Sequence, residues 1–293
     1  MKPAAFSYVS VKTESELLAA LAANEVDHCL LAGGQSLVPM MNFRLTTPQV
    51  LIDINAIESM AFLSCENGEI SIGALTRYAT LEDSPILKQQ CPLLSHAVKH
   101  VAHRTIRNRG TIGGSLALAY PGAEMPLVCV VLDATVRLRA RSGERKVRVE
   151  DFVLGGLTTA LATGEYIHSV QAKLPKTTSG YGFVETSRRH GDFAIAVAAT
   201  LIDLDPQGRV VDVRMGVSGG TSTPVRLRSF EATLHGTRLE PASFSTSIEK
   251  ALHDVEVFGD QHYPEDYRRH LLRVMALQSL TQAIANCEVR HAH

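Results

Sequence analysis

The chain has 293 residues, 45% hydrophobic, 20% charged and 5% aromatic, with 29 Lys+Arg against 30 Asp+Glu and a net charge of −1. At ~150 residues per domain this length suggests about two domains, with ample chain for a core that needs no disulfide or metal staple. The charge balance argues against a general nucleic-acid binder and against a disordered acidic chain.

The first third alternates helix and strand. Thr13 and Glu16 form a capping-box pattern ahead of Leu17, Leu18 and Leu21, which predicts a short helix. A strand is predicted from about His28 to Ala32, running into Gly33-Gly34, and another apolar segment covers Val50 to Ile54. Glu69 to Gly73 alternates as a half-buried strand does. The spacing of Leu93, Leu94, Ala97, Val98 and Val101 predicts one helix from Pro92 to His103. A basic stretch, Arg104 to Arg109, precedes a glycine-rich segment at 110–114 and a buried helix at 123–132. Thr135 to Arg139 and Arg145 to Val149 read as strands. Pro175 to Gly182, rich in Pro, Thr, Ser and Gly, reads as a linker or an irregular strand connection. Ala194 to Leu204 and Arg209 to Val217 are joined by Asp205-Pro206-Gln207-Gly208, a hairpin signature. The end is helical: Ser245 to His253, then Pro264 to about Asn286 with Pro264 in the first turn and Tyr267, Leu271 and Val274 on one face.

Several classes of protein are disfavoured. The longest strongly apolar run, about Leu127 to Leu132, is far below the ~20 residues of a bilayer span. Lys12, Glu14 and Glu16 interrupt the N-terminal stretch, so it does not read as a signal peptide and a cytoplasmic location is expected. Cys29, Cys65, Cys91, Cys129 and Cys287 include no CxxC pair, which argues against a zinc or iron–sulfur cage in this chain. Neither GxGxxG opening a βαβ unit nor GxxxxGK[ST] occurs. Gly216-Val217-Ser218-Gly219-Gly220 matches GxSxG, but Thr221-Ser222-Thr223-Pro224 favours a turn where a nucleophile elbow needs a helix. His100 and His103 could share a helix face, yet no carboxylate partner is evident in the sequence, and ordinary packing histidines are expected.

Two segments stand out: Leu31-Ala32-Gly33-Gly34-Gln35-Ser36-Leu37, after a predicted strand, and Arg107-Asn108-Arg109-Gly110-Thr111-Ile112-Gly113-Gly114-Ser115. Paired glycines let backbone N–H groups approach a ligand and form an anion-binding nest, and the adjacent Ser or Thr adds hydroxyls. A single Gly-Gly is more simply a tight turn. Two segments with the same Gly-Gly-polar ending point to an anionic, nucleotide-like ligand gripped from both sides. Arg104, Arg107 and Arg109 could steer phosphates or an acidic partner, or form a solvated basic turn. A mixture is expected, with at least one buried near the ligand.

Residues 32–45, AGGQSLVPMMNFRL, and 106–117, IRNRGTIGGSLA, resemble the two flavin-binding signatures of the medium subunit of the molybdenum hydroxylases, the xanthine dehydrogenase and carbon monoxide dehydrogenase family. Asp151-Phe152 through Leu161 and Ser187-Arg188-Arg189-His190-Gly191-Asp192-Phe193-Ala194 continue the resemblance over nearly the whole chain. It implies an α+β chain: residues 1–175 as an FAD-binding domain of the p-cresol methylhydroxylase type, with two α/β subdomains split near 57. Residues 176–293 would be a smaller α+β domain with an antiparallel sheet plus helices. By position, Ala32, Gly33, Gly34, Gln35 and Ser36, with Thr111, Ile112, Gly113, Gly114 and Ser115, would hold the pyrophosphate and adjoining parts of FAD. Glu124 stands where the family usually has an Asp that binds the cofactor, and Leu161 where an apolar side chain packs near the flavin. Departures are Ser115 for a common Asn, Leu118 for a histidine, Tyr120 for an acid, and Val184-Glu185 where many relatives carry a lysine.

The function this implies is an FAD-carrying electron-transfer subunit with no catalytic residue or metal of its own. A large subunit would hold the molybdenum cofactor. A small subunit would pass electrons through two [2Fe-2S] clusters to this FAD and on to an external acceptor. A heterotrimer, or a dimer of heterotrimers, would result. The alternatives are a self-contained flavin oxidase or reductase on the same fold, and a binding module that has lost its flavin.

Overall fold

The computed structural model describes residues 2–23, 26–239 and 241–291. Its first unit comprises β1 (Ser7–Ser10), α1 (Glu14–Ala23), β2 (His28–Leu31), α2 (Leu37–Asn42) and β3 (Val50–Asp53). The strands form a parallel sheet in the order β1-β3-β2. β3 is central and its Val50, Leu51 and Ile52 are buried, whereas β1 is an exposed edge that the hydrophobic pattern does not announce. The capping box ahead of α1 is offset by one residue. The Glu16 amide donates to Thr13 Oγ1 at 3.2 Å, while the Glu16 carboxylate accepts from the Lys12 amide at 2.6 Å.

The second unit runs through β4 (Leu63–Glu66), β5 (Glu69–Gly73), α3 (Tyr78–Asp83), α4 (Pro85–Gln90), α5 (Pro92–Ala97), α6 (Arg104–Arg107), α7 (Ile112–Leu118) and α8 (Glu124–Val131). It continues with β6 (Thr135–Ala140), β7 (Gly143–Arg148), α9 (Val149–Phe152), β8 (Val153–Gly155), β9 (Thr158–Thr159) and β10 (Tyr166–Lys173). An antiparallel sheet ordered β4-β5-β10-β6-β7 results. Every residue of α8 is buried, as a helix apolar on all sides requires. The single helix expected over 92–103 stops at Ala97. Arg107 Nη1 donates to the carbonyls of Lys99 at 3.2 Å, Val101 at 2.9 Å and Ala102 at 2.7 Å, satisfying acceptors that a continued helix would have used.

The third unit comprises β11 (Gly180–Ser187), β12 (Ala194–Leu204), β13 (Val210–Ser218), β14 (Val225–Arg226), α10 (Arg228–Leu234), α11 (Pro241–His253) and α12 (Glu265–His291). The hairpin between β12 and β13 is closed by Asp205, whose Oδ1 accepts from the amides of Gln207 and Arg209 at 2.9 and 2.8 Å. β12 is buried on both faces. Val197, Ala199 and Leu201 join a core that includes α8, while Ala196, Ala198 and Ile202 join a second core with α12.

One expectation is corrected here. The segment read as a linker or an irregular strand connection to Gly182 already contains the start of β11, because Gly180 and Gly182 serve packing and not a turn. A Cβ on them would lie 2.0 Å from the Ala283 carbonyl and 1.8 Å from the Ser279 carbonyl, so the α12 backbone rests directly on this strand. The residues of α12 buried against it include Leu272, Ala276, Ser279, Leu280 and Ala283, with Leu271 and Val274 half-buried beside them and Tyr267 exposed. Pro264 precedes the helix and its carbonyl accepts from the Arg268 amide at 3.1 Å. Among the described residues no helix is long and apolar enough to cross a membrane.

Candidate cofactor site

The first glycine segment leaves the half-buried end of β2 and turns through Gly34, whose φ of +73° is the left-handed conformation glycine tolerates. The amides of Gly33, Gly34, Gln35 and Ser36 have no hydrogen-bond acceptor among the described residues. The carbonyls are satisfied: Gln35 Nε2 donates to Gly33 O at 3.0 Å, and the Val38 amide to Gly34 O at 3.1 Å. Ser36 sits at the cap position of α2 without its hydroxyl capping the helix. Four consecutive free N–H donors and a free hydroxyl suit a ligand rich in acceptors.

The second segment does not form a nest of free amides, and that expectation is corrected. Thr111 caps α7, its Oγ1 accepting from the Gly114 amide at 3.1 Å. The Gly113 amide donates to Ala74 O at 3.0 Å, that of Ile112 to Thr76 O at 3.4 Å, and that of Ser115 to Thr111 O at 3.1 Å. Gly113 is demanded by packing, since a Cβ there would lie 2.5 Å from Ala74 Cβ and 2.7 Å from its carbonyl. Gly114 differs: its Cβ would meet only the Thr111 hydroxyl, at 2.9 Å. A glycine in a helix costs about 1 kcal/mol relative to alanine, and the only group a side chain at 114 would press on is the hydroxyl that caps the helix.

The fold brings the two segments into contact. A Cβ on Gly33 would lie 2.4 Å from Arg109 O and 2.9 Å from Gly110 Cα. Two residues that the motifs leave out tie the segments together. Asn55 Nδ2 donates to Ala32 O at 2.8 Å and to Leu31 O at 3.2 Å. Arg77 Nη2 donates to Asn55 Oδ1 at 2.5 Å, and its Nη1 donates to Arg109 O. Neither residue belongs to a glycine signature. The sequence hints only at Asn55, which closes the apolar run of β3.

Beyond Gly110 lie buried polar groups. The Tyr78 ring packs against Gly110, and its hydroxyl, near Ser115, lacks a hydrogen-bond partner. Glu124, in the first turn of α8, is 4% exposed. Burial, reinforced by the charge of Glu185, pushes its carboxyl up to about 8. Leu161, half-buried, follows β9, which packs against α7.

The arginines divide as a mixture. Arg107 is buried, pairs with Glu82 at 2.9 Å, and its charge reaches Glu124. Arg104 is exposed and pairs with Glu82 and Asp83, and Arg109 contributes its carbonyl. His100 does find a carboxylate, Glu185 on β11 at 3.3 Å, which local sequence could not reveal. His103 stacks on His190 with centroids 5.7 Å apart. Among the described residues no group of three or more His, Cys, Asp or Glu side chains could hold a metal. Ser218 ends β13 and donates to Pro121 O at 2.6 Å, with no helix after it, so GxSxG is no nucleophile elbow here.

Comparison with known proteins agrees with this geometry. Residues 4–176 match the family described as FAD binding domain in molybdopterin dehydrogenase, and residues 181–283 match CO dehydrogenase flavoprotein C-terminal domain. The chain is 38% identical over 284 residues to 6-hydroxypseudooxynicotine dehydrogenase complex subunit alpha of Paenarthrobacter nicotinovorans, covering 97% of this chain and 96% of that one. It is 30% identical over 288 residues to the carbon monoxide dehydrogenase medium chain of Afipia carboxidovorans, covering 98% and 100%. Among solved structures, carbon monoxide dehydrogenase from Hydrogenophaga pseudoflava superposes with a TM-score of 0.94 at 32% identity, covering 98% and 100% of the two chains. Quinoline 2-oxidoreductase from Pseudomonas putida 86 superposes with a TM-score of 0.93 at 32% identity, covering 98% and 99%.

Proposed function

The chain belongs to the FAD-binding medium subunits of the molybdenum hydroxylase family, and from that premise we propose that it carries electrons from iron–sulfur clusters of a partner subunit to an external acceptor. The observation that carries this reading is the contact between two glycine segments, one presenting four free amides and the other a helical glycine, Gly114, facing little but the Thr111 hydroxyl. The residues fit FAD. Ala32 to Ser36 would hold its pyrophosphate through backbone N–H groups, with Ser36 Oγ as a further donor. Thr111 to Ser115 would line the opposite side by close approach. Asn55 and Arg77 would fix the spacing between them, and Glu124 and Leu161 would border the remainder of the cofactor. The unpartnered Tyr78 hydroxyl and Glu185 carboxylate oxygen are further polar atoms that a bound cofactor would satisfy.

The bound flavin supplies two-electron chemistry, and the protein supplies its placement and electrostatics. Residues 1–175 form the flavin domain in this reading and 176–293 the smaller one. The organic substrate is oxidised at a molybdenum cofactor on a large subunit, in a heterotrimer or a dimer of heterotrimers in the cytoplasm.

Tagged chain isolated from its native cells is expected to release FAD into the supernatant on acid precipitation. It should also bring down one chain containing molybdenum and one containing iron. Isolated alone, it should stay yellow when 6-hydroxypseudooxynicotine, caffeine or nicotine is added anaerobically. Bleaching of the isolated chain by any of these would favour a self-contained flavin enzyme. An acid supernatant without FAD would overturn the cofactor assignment.

A further inference from the structure

Asp53 ends β3 and carries more hydrogen bonds than the end of a strand requires. Its Oδ1 accepts from the Asn55 backbone amide at 2.9 Å, which closes the strand, and also from Asn55 Nδ2 at 2.6 Å. Its Oδ2 accepts from the Tyr8 hydroxyl at 2.5 Å. Tyr8 lies two residues before Ser10, the register partner of Asp53 on β1, and residues two apart share a sheet face. Burial opposes the charge of Asp53, but the hydrogen bonds from Tyr8 and Asn55 outweigh it and hold the carboxyl below the ordinary carboxylate range.

These contacts leave the Asn55 amide one orientation. Three acceptors face its Nδ2: Asp53 Oδ1, Ala32 O at 2.8 Å and Leu31 O at 3.2 Å. A donor, Arg77 Nη2, faces its Oδ1 at 2.5 Å. Half a turn of the amide would set oxygen against three oxygens and its NH2 against a guanidinium. The two partners that carry charge, Asp53 and Arg77, make the stronger hydrogen bonds and so dominate the choice.

What Asn55 grips matters to the free amides of the first glycine segment. In a planar trans peptide the C=O and the following N–H point in opposite directions. A carbonyl that is held therefore aims the N–H of the next residue. Gly33 O is held by Gln35 Nε2 and Gly34 O by the Val38 amide, so the amides of Gly34 and Gln35 are aimed from the segment itself and from α2. Ala32 O is held by Asn55, so the Gly33 amide is aimed from β3. We propose that Asp53 is a positioning residue for FAD, an inference that rests on the FAD reading above: held by Tyr8, it fixes the Asn55 amide and, through it, the direction of the Gly33 N–H that meets the pyrophosphate.

A turn that merely closes β3 would also need Asp53, and a double-mutant cycle separates the two roles. Full-length chain stripped of flavin is titrated with FAD by equilibrium dialysis, carried to millimolar FAD so that weak variants stay measurable. Asp53→Asn keeps the shape and removes the charge, and it is expected to weaken FAD binding about tenfold. In an Asn55→Ala background the same substitution should change affinity by less than about twofold, because no amide remains to be oriented. Tyr8→Phe, on the exposed edge strand, carries the comparison if Asp53→Asn does not fold, with a smaller loss that also disappears without Asn55. Wild-type affinity in the variant, or the same loss with and without Asn55, would overturn the positioning role while FAD in the wild-type acid supernatant keeps the cofactor reading. Absence of FAD from that supernatant would overturn the cofactor reading instead.

Discussion

The two Gly-Gly pairs, 33–34 and 113–114, read alike in sequence and are built differently. In the first, the backbone amides remain free, Gly34 supplies a left-handed turn, and Gly33 gives way to the Arg109 carbonyl. In the second, the amides are engaged within the protein, Gly113 yields to Ala74, and Gly114 faces little but a hydroxyl. The same residue type therefore answers separate demands: close approach of a neighbouring chain segment, positive φ, packing of a helix on the chain after β5 and, in the proposed function, room for a ligand. A motif match reports that side chains are missing, and only the surroundings report why.

Substitutions can separate those demands. The largest effect is expected at Gly114. Gly114→Asp should give a folded chain that is largely free of flavin. Like charges ~4 Å apart at an effective dielectric near 20 repel by roughly 4 kcal/mol, on the order of a thousandfold in affinity. Flavin content after gel filtration, set beside the circular dichroism spectrum, decides it. Wild-type occupancy in the variant would mean that Gly114 does not face the cofactor.

At Gly113 the expected loss is of fold and not only of ligand. Gly113→Ala forces a methyl group against the Ala74 backbone. Overpacking of that kind costs about 1–3 kcal/mol, against about 1 kcal/mol gained in helix propensity. The flavin-free variant should melt several degrees lower. An unchanged melting temperature would show that Ala74 moves aside freely.

The smallest effect is expected at Gly34. A Cβ there would approach only the Leu31 and Val38 side-chain tips, at 3.2 and 3.3 Å. The cost of Gly34→Ala is then mainly the left-handed φ, about 1–2 kcal/mol. FAD affinity should weaken by no more than about tenfold, which fluorescence titration of released FAD would measure. Complete loss of binding would show that the first segment also needs an unobstructed Cα.

Much of this molecule is legible locally. The apolar run of α8 after Glu124 reads as a buried helix, Asp205 to Gly208 can close a hairpin through its own side chain, and two Gly-Gly-polar segments mark backbone held for special use. These signals act over a few residues, so the amino-acid order alone determines them. The nearly complete span of the flavin-subunit signatures likewise needs no coordinates. Other features depended on residues far apart in the chain. Asn55 and Arg77 lash the glycine segments together, Gly180 and Gly182 admit the α12 backbone, and Glu185 meets His100 across β11 and α5. A contact between distant segments leaves no periodicity in either one, so the first residues of β11 read as a linker or an irregular strand connection and His100 looked partnerless until packing brought their counterparts into reach.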